Sequence, residues 1–519
     1  MSRLLLAFLP LAGCLIAASS DVRLIDAARN SDAKSARSLL AQHVDVNAAE
    51  ADGLTALHWA AQRDNLEIAN LLIAAGANVK AATRYNITPL SLACTNGSAA
   101  MIERLLAAGA NPNSTSEEGQ TVLMTAALTG KVDAIKVLLT HGAIVNAREP
   151  YKGQTALMWA ASEGNAAAAA MLIEFGADVR GKSDGGFTPL LFAVRDAHID
   201  AARVLLEHGA NVNDTAPDGT SALNMAIVNA YFELASVLLD HGANPNAPDP
   251  RGSALHTVAW LRKPGADGAA AVGNTAKGTP VPTGNVTALE LAKALLKHGA
   301  NPNVRIDWKE NRFGKEGGTA RNPPNIDLGR HFLSYVGATP FYVAAKNGDA
   351  PLMQALLDGG ADGKIPTKAG ITPLMAASGL DYWEGEAPGP FTGVTEPERL
   401  EAVKLALAVG KNINAQADFG DYPMIGETKY TLLYYPLNID DLLDTGVGDP
   451  RWSGSTALIG AVISGQPLIV QYLVDQGAQV DAKTKLGWTP LMVAQGVFFA
   501  NAKKEFPPAE AILKKALSR

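Results

Sequence analysis

The chain has 519 residues, 47% of them apolar and 18% charged, with 44 Lys and Arg against 51 Asp and Glu and only two Cys. That apolar share excludes a disordered chain, and a formal charge of −7 without a basic stripe argues against a nucleic-acid binder, since phosphate recognition needs clustered Lys and Arg. Two cysteines supply neither a disulfide framework nor a zinc cluster.

Residues 1–20 read as a leader. Arg3 supplies a positive charge, Leu4 to Ala18 are almost wholly apolar, and small residues run to Ser20. Fifteen residues broken by Pro10 and Gly13 are too short to span a bilayer, so the segment fits a secretory signal. The expectation is an exported protein, periplasmic or secreted. Leu11-Ala-Gly-Cys14 also resembles the lipobox of bacterial lipoproteins, in which Cys14 would carry the lipid; only then would the protein sit at a membrane.

From Asp21 onward a repeat of about 33 residues governs the chain. Thr55-Ala-Leu-His58, Thr88-Pro-Leu-Ser91, Thr121-Val-Leu-Met124, Thr155-Ala-Leu-Met158, Thr188-Pro-Leu-Leu191, Ser221-Ala-Leu-Asn224 and Ser253-Ala-Leu-His256 follow one another at spacings of 33, 33, 34, 33, 33 and 32. The phrase returns at Thr339, Thr372, Thr456 and Thr489. Each Thr or Ser is placed to cap a helix, and Pro after it suits the first turn. Alanine pairs such as Ala60-Ala61 allow close helix packing, and a second helix runs through a Leu-Leu pair to a Gly that can turn left-handed. Ala-Asn-x-Asn and an Asp-Gly-type turn then join unit to unit, read here as a β-hairpin.

These motifs resemble the ankyrin repeat over nearly all of residues 21–519. The resemblance implies an all-α repeat solenoid of stacked helix-turn-helix units with β-hairpin loops, about twelve units including a cap at each end, forming a single domain. It also implies a noncatalytic scaffold that binds a partner protein, without cofactor or metal, as a monomer. Recognition in such proteins uses residues just before the opening Thr and near the end of the first helix. Carried over, these are Arg84, Tyr85, Glu117, Glu118, Tyr151, Lys152, Asp184, Phe187, Arg195, Trp452 and Trp488.

The period fails twice: Ser253 to Thr339 is 86 residues and Thr372 to Thr456 is 84. Measured against an ordinary unit, four insertions are placed near 263–286, 305–335, 380–397 and 417–452. Aromatic residues such as Trp308, Phe332, Trp383, Tyr434 and Trp452 mark three of them and an excess of acids marks the last two, so these are expected to pack, and the four insertions to form one aromatic, acidic surface over the concave face. Two other functions follow from that surplus: a small-ligand receptor or enzyme with its site in the insertions, or a lipid-anchored structural protein of the envelope. Chemistry elsewhere is sparse. Seven of nine histidines fall at repeat positions, His331 alone lies in an insertion, Cys94 occupies a core position, and Asp440, Asp441 and Asp444 lack calcium-loop spacing. The partner's identity is not encoded in any of this.

Overall fold

The computed structural model describes residues 22–248, 252–262, 282–307, 335–380, 394–418, 453–496, 498–499, 502–503 and 505–519. The leader with Cys14, His331 and Trp308, Phe332, Trp383, Tyr434 and Trp452 of the insertions lie outside them, while Tyr335 and Glu396 lie within. The described residues contain twelve helix pairs, from Arg23–Arg29 with Ala33–Ala41 to Pro490–Ala494 with Pro507–Leu517. They belong to two compact bodies, residues 1–185 and 186–519.

The capping logic of the repeat is realised. The side chains of Thr88, Thr121, Thr155, Thr188, Ser221, Thr339, Thr372, Thr456 and Thr489 each accept the amide three residues on, satisfying a donor that the helix leaves open. At the far end of a unit Gly76 adopts φ +90°, which lets the following Ala77 amide reach back to Leu72 O at 2.9 Å.

In the N-terminal body the first helices Arg23–Arg29, Ala56–Gln62, Pro89–Asn96, Val122–Thr129 and Ala156–Ser162 pack neighbour to neighbour, and so do the second helices. Their contacts are made by small side chains, Ala60, Ala61, Ala126, Ala127, Ala160 and Ala161, all fully buried. A row of asparagines staples successive units: Asn113 donates to Gly142 O at 3.1 Å and accepts the Ile144 amide at 2.8 Å. Asn47 two units earlier and Asn146 one unit later do the same.

The C-terminal body keeps this stacking across the insertions. Ala254–Arg262 packs on Pro340–Lys346, and Pro373–Ala377 packs on Ala457–Ile463, although more than 75 residues separate each pair in sequence. The asparagine staples span the first two insertions as well. Asn246 reaches Gly299 O at 2.8 Å, and Asn303 reaches Gly360 O at 3.1 Å while accepting the Asp362 amide at 2.7 Å. Two of the insertions leave through necks of the same design: Ile306 N donates to Ala338 O at 2.9 Å and Gly337 N to Ile306 O at 2.7 Å, matched by Ala417 N to Ser455 O at 2.9 Å and Gly454 N to Ala417 O at 2.7 Å. These necks stand beside the N-termini of first helices, whereas the other two insertions leave from Arg262 and Leu380 at first-helix C-terminal ends. A seven-residue helix, about 10 Å, separates the two kinds of root.

The expected β-hairpin loops between units are not formed. The described loops close with one cross-loop backbone bond, such as Glu50 N to Leu54 O at 2.8 Å or Thr83 N to Ile87 O at 2.9 Å, to which the loops before Thr121 and Ser221 add a second, Val122 N to Ser114 O at 3.1 Å and Ala222 N to Asp214 O at 3.0 Å; the bridges, such as Ala49 with Thr55, stay isolated and no ladder forms. Side chains take the amides a ladder would need: Thr83 Oγ1 accepts from Tyr85 and Ile87, and Asp52 Oδ1 accepts from Leu54. Two pairs of neighbouring loops in residues 50–184 are joined by one backbone bond each, Arg84 N to Asp52 O at 3.1 Å and Asp184 N to Lys152 O at 2.8 Å. The strands among the described residues are Phe498–Phe499 and Ala502–Lys503, paired antiparallel inside the last helix pair.

Lys80 stands where Asn47, Asn113 and Asn146 stand in their units, and its backbone has the same local bond, N to Asn78 Oδ1 at 3.0 Å. Lys80→Asn should therefore complete the staple to the next unit and add about 1 kcal/mol to the N-terminal body. A rise of about 2–4 °C in its melting temperature is the expected reading.

Candidate functional site

The loop tips of the N-terminal body carry most of the residues singled out by the sequence. Arg84 lies over the ring of its neighbour Tyr85, 4.7 Å from the centroid, and Tyr85 is 49% exposed. Glu117 and Glu118 are exposed on the next tip, with Gln120 Nε2 donating to Glu118 Oε2 at 3.2 Å. Tyr151, at 74% exposed, and Lys152 form the third. This tip is one residue longer than the others and is built on the buried carboxylate of Glu149, which accepts the amides of Tyr151 at 2.7 Å, Lys152 at 2.9 Å and Gln154 at 2.9 Å. Burial works against that charge, but the amides of Gln154, Lys152 and Tyr151 outweigh it and hold the carboxyl below the usual range. Asp184 on the fourth tip pairs with Arg148 at 2.7 Å.

Beneath the tips runs a row that the sequence reading passed over. Four residues after each capping Thr stand Trp59, Leu92, Thr125 and Trp159, all half-buried on the outward side of their first helices. Leu128, 41% exposed, extends the row by one turn. Trp59 is held in place: Arg29 covers its ring at 4.5 Å, and its indole N–H donates to Glu50 Oε2 at 3.2 Å. Trp159 is not held in that way. Glu149 occupies the place of Glu50 but spends its oxygens on the longer tip, and the Trp159 Nε1 has no hydrogen-bond partner among the described residues. The signal was present in the repeat, as a Trp at the fifth position of Thr55-Ala-Leu-His-Trp59 and of Thr155-Ala-Leu-Met-Trp159.

The C-terminal body offers a different surface. Phe187 packs on Phe192 with ring centroids 5.7 Å apart, Arg195 lies 5.0 Å over Phe192 and is bonded to Asp196, and Trp488 is half-buried. Every residue of Pro340–Lys346, Pro373–Ala377 and Ala457–Ile463 is buried, as are the first eight of Ala254–Arg262. A face that is open in the N-terminal body is therefore closed here. Charged groups are enclosed with it. Arg262 pairs through two contacts with the fully buried Asp349, Nη2 to Oδ1 being 2.9 Å, and buried Arg399 donates to Lys346 O at 3.2 Å.

Five of the described histidines are built into the fold. Nδ1 of His141, His208 and His241 lies 2.8–2.9 Å from the carbonyl four residues back, closing a helix end. His58 Nδ1 accepts the Thr55 amide at 3.1 Å, so Nε2 carries the proton and donates to Ile87 O of the next unit at 3.0 Å. His256 repeats this bridge across an insertion: Ser253 Oγ lies 2.8 Å from Nδ1, and Nε2 lies 3.1 Å from Ala338 O, the carbonyl that also closes the neck. Burial pushes His256 down to about 4, against the bond to Ala338, and pushes the Cys94 thiol up. Among the described residues no three His, Cys, Asp or Glu side chains are grouped so as to hold a metal ion, and no helix is long and apolar enough to cross a membrane.

Models of ankyrin repeats match residues 24–116, 91–183 and 176–249, and a single-repeat model matches 453–485. No curated protein matches the chain. Among solved structures, the human ASB11 ankyrin repeat domain is 28% identical, with 43% of this chain and 98% of that one covered at a TM-score of 0.39.

Proposed function

With the chain identified as an ankyrin-repeat domain protein, we infer that it is a noncatalytic scaffold whose N-terminal body holds a partner protein along the row Trp59, Leu92, Thr125 and Trp159 and the tips above it. One observation carries this: first-helix faces are open in the N-terminal body and closed from Ala254 to Ile463. Aromatic side chains beside Arg are the residue types that anchor interfaces, and here they stand on rigid helices and on loops tied by hydrogen bonds. The leader-like segment at 1–20 supports a place outside the cytoplasm for this scaffold.

The test is capture from the native compartment by the full-length protein and by a Leu92→Glu, Leu128→Glu variant. Both side chains are partly exposed, so the variant should melt as the parent does while retaining at least tenfold less partner. Equal capture would remove the row from the interface. Mass spectrometry of the recovered chain reads its mature N-terminus in the same experiment: a terminus near Ser20 supports plain export, a lipid on Cys14 the anchored form, and retained Met1 neither.

A further inference from the structure

We propose that the three central tips of the N-terminal body read an extended partner segment carrying one basic side chain flanked on each side by an acidic one. This deepens the scaffold reading and rests on it. The tips present, in order, Arg84 with Tyr85, then Glu117 and Glu118, then Tyr151 with Lys152. The charges alternate plus, minus, plus, and the two basic positions each adjoin an exposed tyrosine. Among the described residues none of these four charged tip positions is ion-paired, whereas charges on either side are: Arg29 with Glu50, and Arg148 with Asp184. Arg84 lies on the Tyr85 ring instead, which leaves its guanidinium edge free to meet a carboxylate.

Register follows from the stack. The first helices beneath these tips pack on one another, so consecutive tips are separated by about the 8–10 Å of helix packing. The tips also abut, since a methyl group added at Gly119 would run into the Pro150 ring. A partner segment in the polyproline II conformation rises about 3.1 Å per residue and returns to the same face every three residues, so side chains three apart span one tip spacing on one side. The matching segment has Arg or Lys at its centre and Asp or Glu three residues before and three after. Its central cation meets Glu117 and Glu118, its flanking carboxylates meet Arg84 and Lys152, and the tyrosines bracket its ends. The Glu149 carboxylate fixes the third tip from below, so little order is lost when that tip engages.

The experiment uses the full-length chain and two fluorescein-labelled seven-residue peptides of glycine and serine. One has a central arginine with glutamate at both ends; the other is its charge mirror. Fluorescence anisotropy at low salt should show the first peptide binding at least about tenfold more tightly, with the difference collapsing near 0.5 M salt as screening shortens. In the variant Arg84→Glu, Glu117→Lys, Glu118→Lys, Lys152→Glu, the preference should invert. These positions are exposed, and an unchanged circular dichroism spectrum certifies the fold. Equal binding of the two peptides, binding of neither, or a preference that survives the fourfold reversal overturns the proposal. Partner capture that is lost with Leu92→Glu, Leu128→Glu but kept by the fourfold variant would remove the charge code and leave the scaffold standing.

Discussion

Asp349→Ala should destabilise the C-terminal body by about 3–5 kcal/mol, the usual cost of breaking a buried ion pair from one side. Asp349 is fully buried, and it does two things at once. It accepts from Arg262 Nη2 at 2.9 Å and, with the same Oδ1, from the Leu352 amide at 3.2 Å, so it caps Ala350–Asp358 while tying it to the end of Ala254–Arg262. Truncation leaves a mostly enclosed guanidinium without its counter-charge and a helix without its cap. Asn347, whose amide donates to Ala259 O at 3.0 Å, is the second tie across that joint and prevents complete separation. Asp349→Asn keeps the cap and loses the charge, so it should cost less than the alanine variant. Denaturant unfolding of both variants and of Arg262→Ala with its double mutant would check this: the cycle should give a coupling above about 2 kcal/mol. Additive single effects would show that the pair is incidental.

Acid should loosen the same body through His256. Its folded pKa, about 4, lies below the ordinary 6.5, so the unfolded chain takes up the proton first as pH falls. The stability tied to the neutral imidazole is complete above pH 6.5 and drains away as pH drops toward 4, by about 3 kcal/mol in all. Protonation places a charge in a site that faces the Trp260 ring at 5.9 Å and the Ala338 carbonyl. His256→Gln should remove this part of the pH dependence and lower stability at pH 7.5. The measurement is the unfolding midpoint from pH 7.5 to 4.5 for parent and variant. Parallel curves would show that folding does not depress the pKa of His256.

Local chemistry explains why so much of the architecture was legible. A capping Thr, a Pro in the first turn, a pair of alanines and a terminal Gly each act within one unit, and each repeats about every 33 residues. That was enough to place the helices and to locate the insertions by arithmetic. The loop between units was misread because its residues suit turns and hairpins alike. What decides between them is where the amides go, and Thr83 and Asp52 claim them with side chains. The stapling role of the asparagines was hidden because each acts on the following unit.

The candidate site divides in the same way. Tyr85, Tyr151 and their charged neighbours were found because tip positions are fixed by the period. The row of Trp59, Leu92, Thr125 and Trp159 was missed because its members share a position but no residue type. Closure of the first-helix faces from Ala254 to Ile463, and the pairing of Arg262 with a residue 87 positions away, depend on contacts between distant segments that no local pattern announces. Trp308, Phe332, Trp383, Tyr434 and Trp452 lie outside the described residues, so the surface over the concave face is an expectation of the sequence alone.

The central claim is that partners are held on the open first-helix row of the N-terminal body. Hydrogen exchange on the full-length chain, alone and with its captured partner, tests it most directly. Slowed exchange should centre on residues 84–96, 117–129 and 151–162, with little change from 340 to 377. Protection confined to the C-terminal body, or spread over the second helices alone, would contradict it.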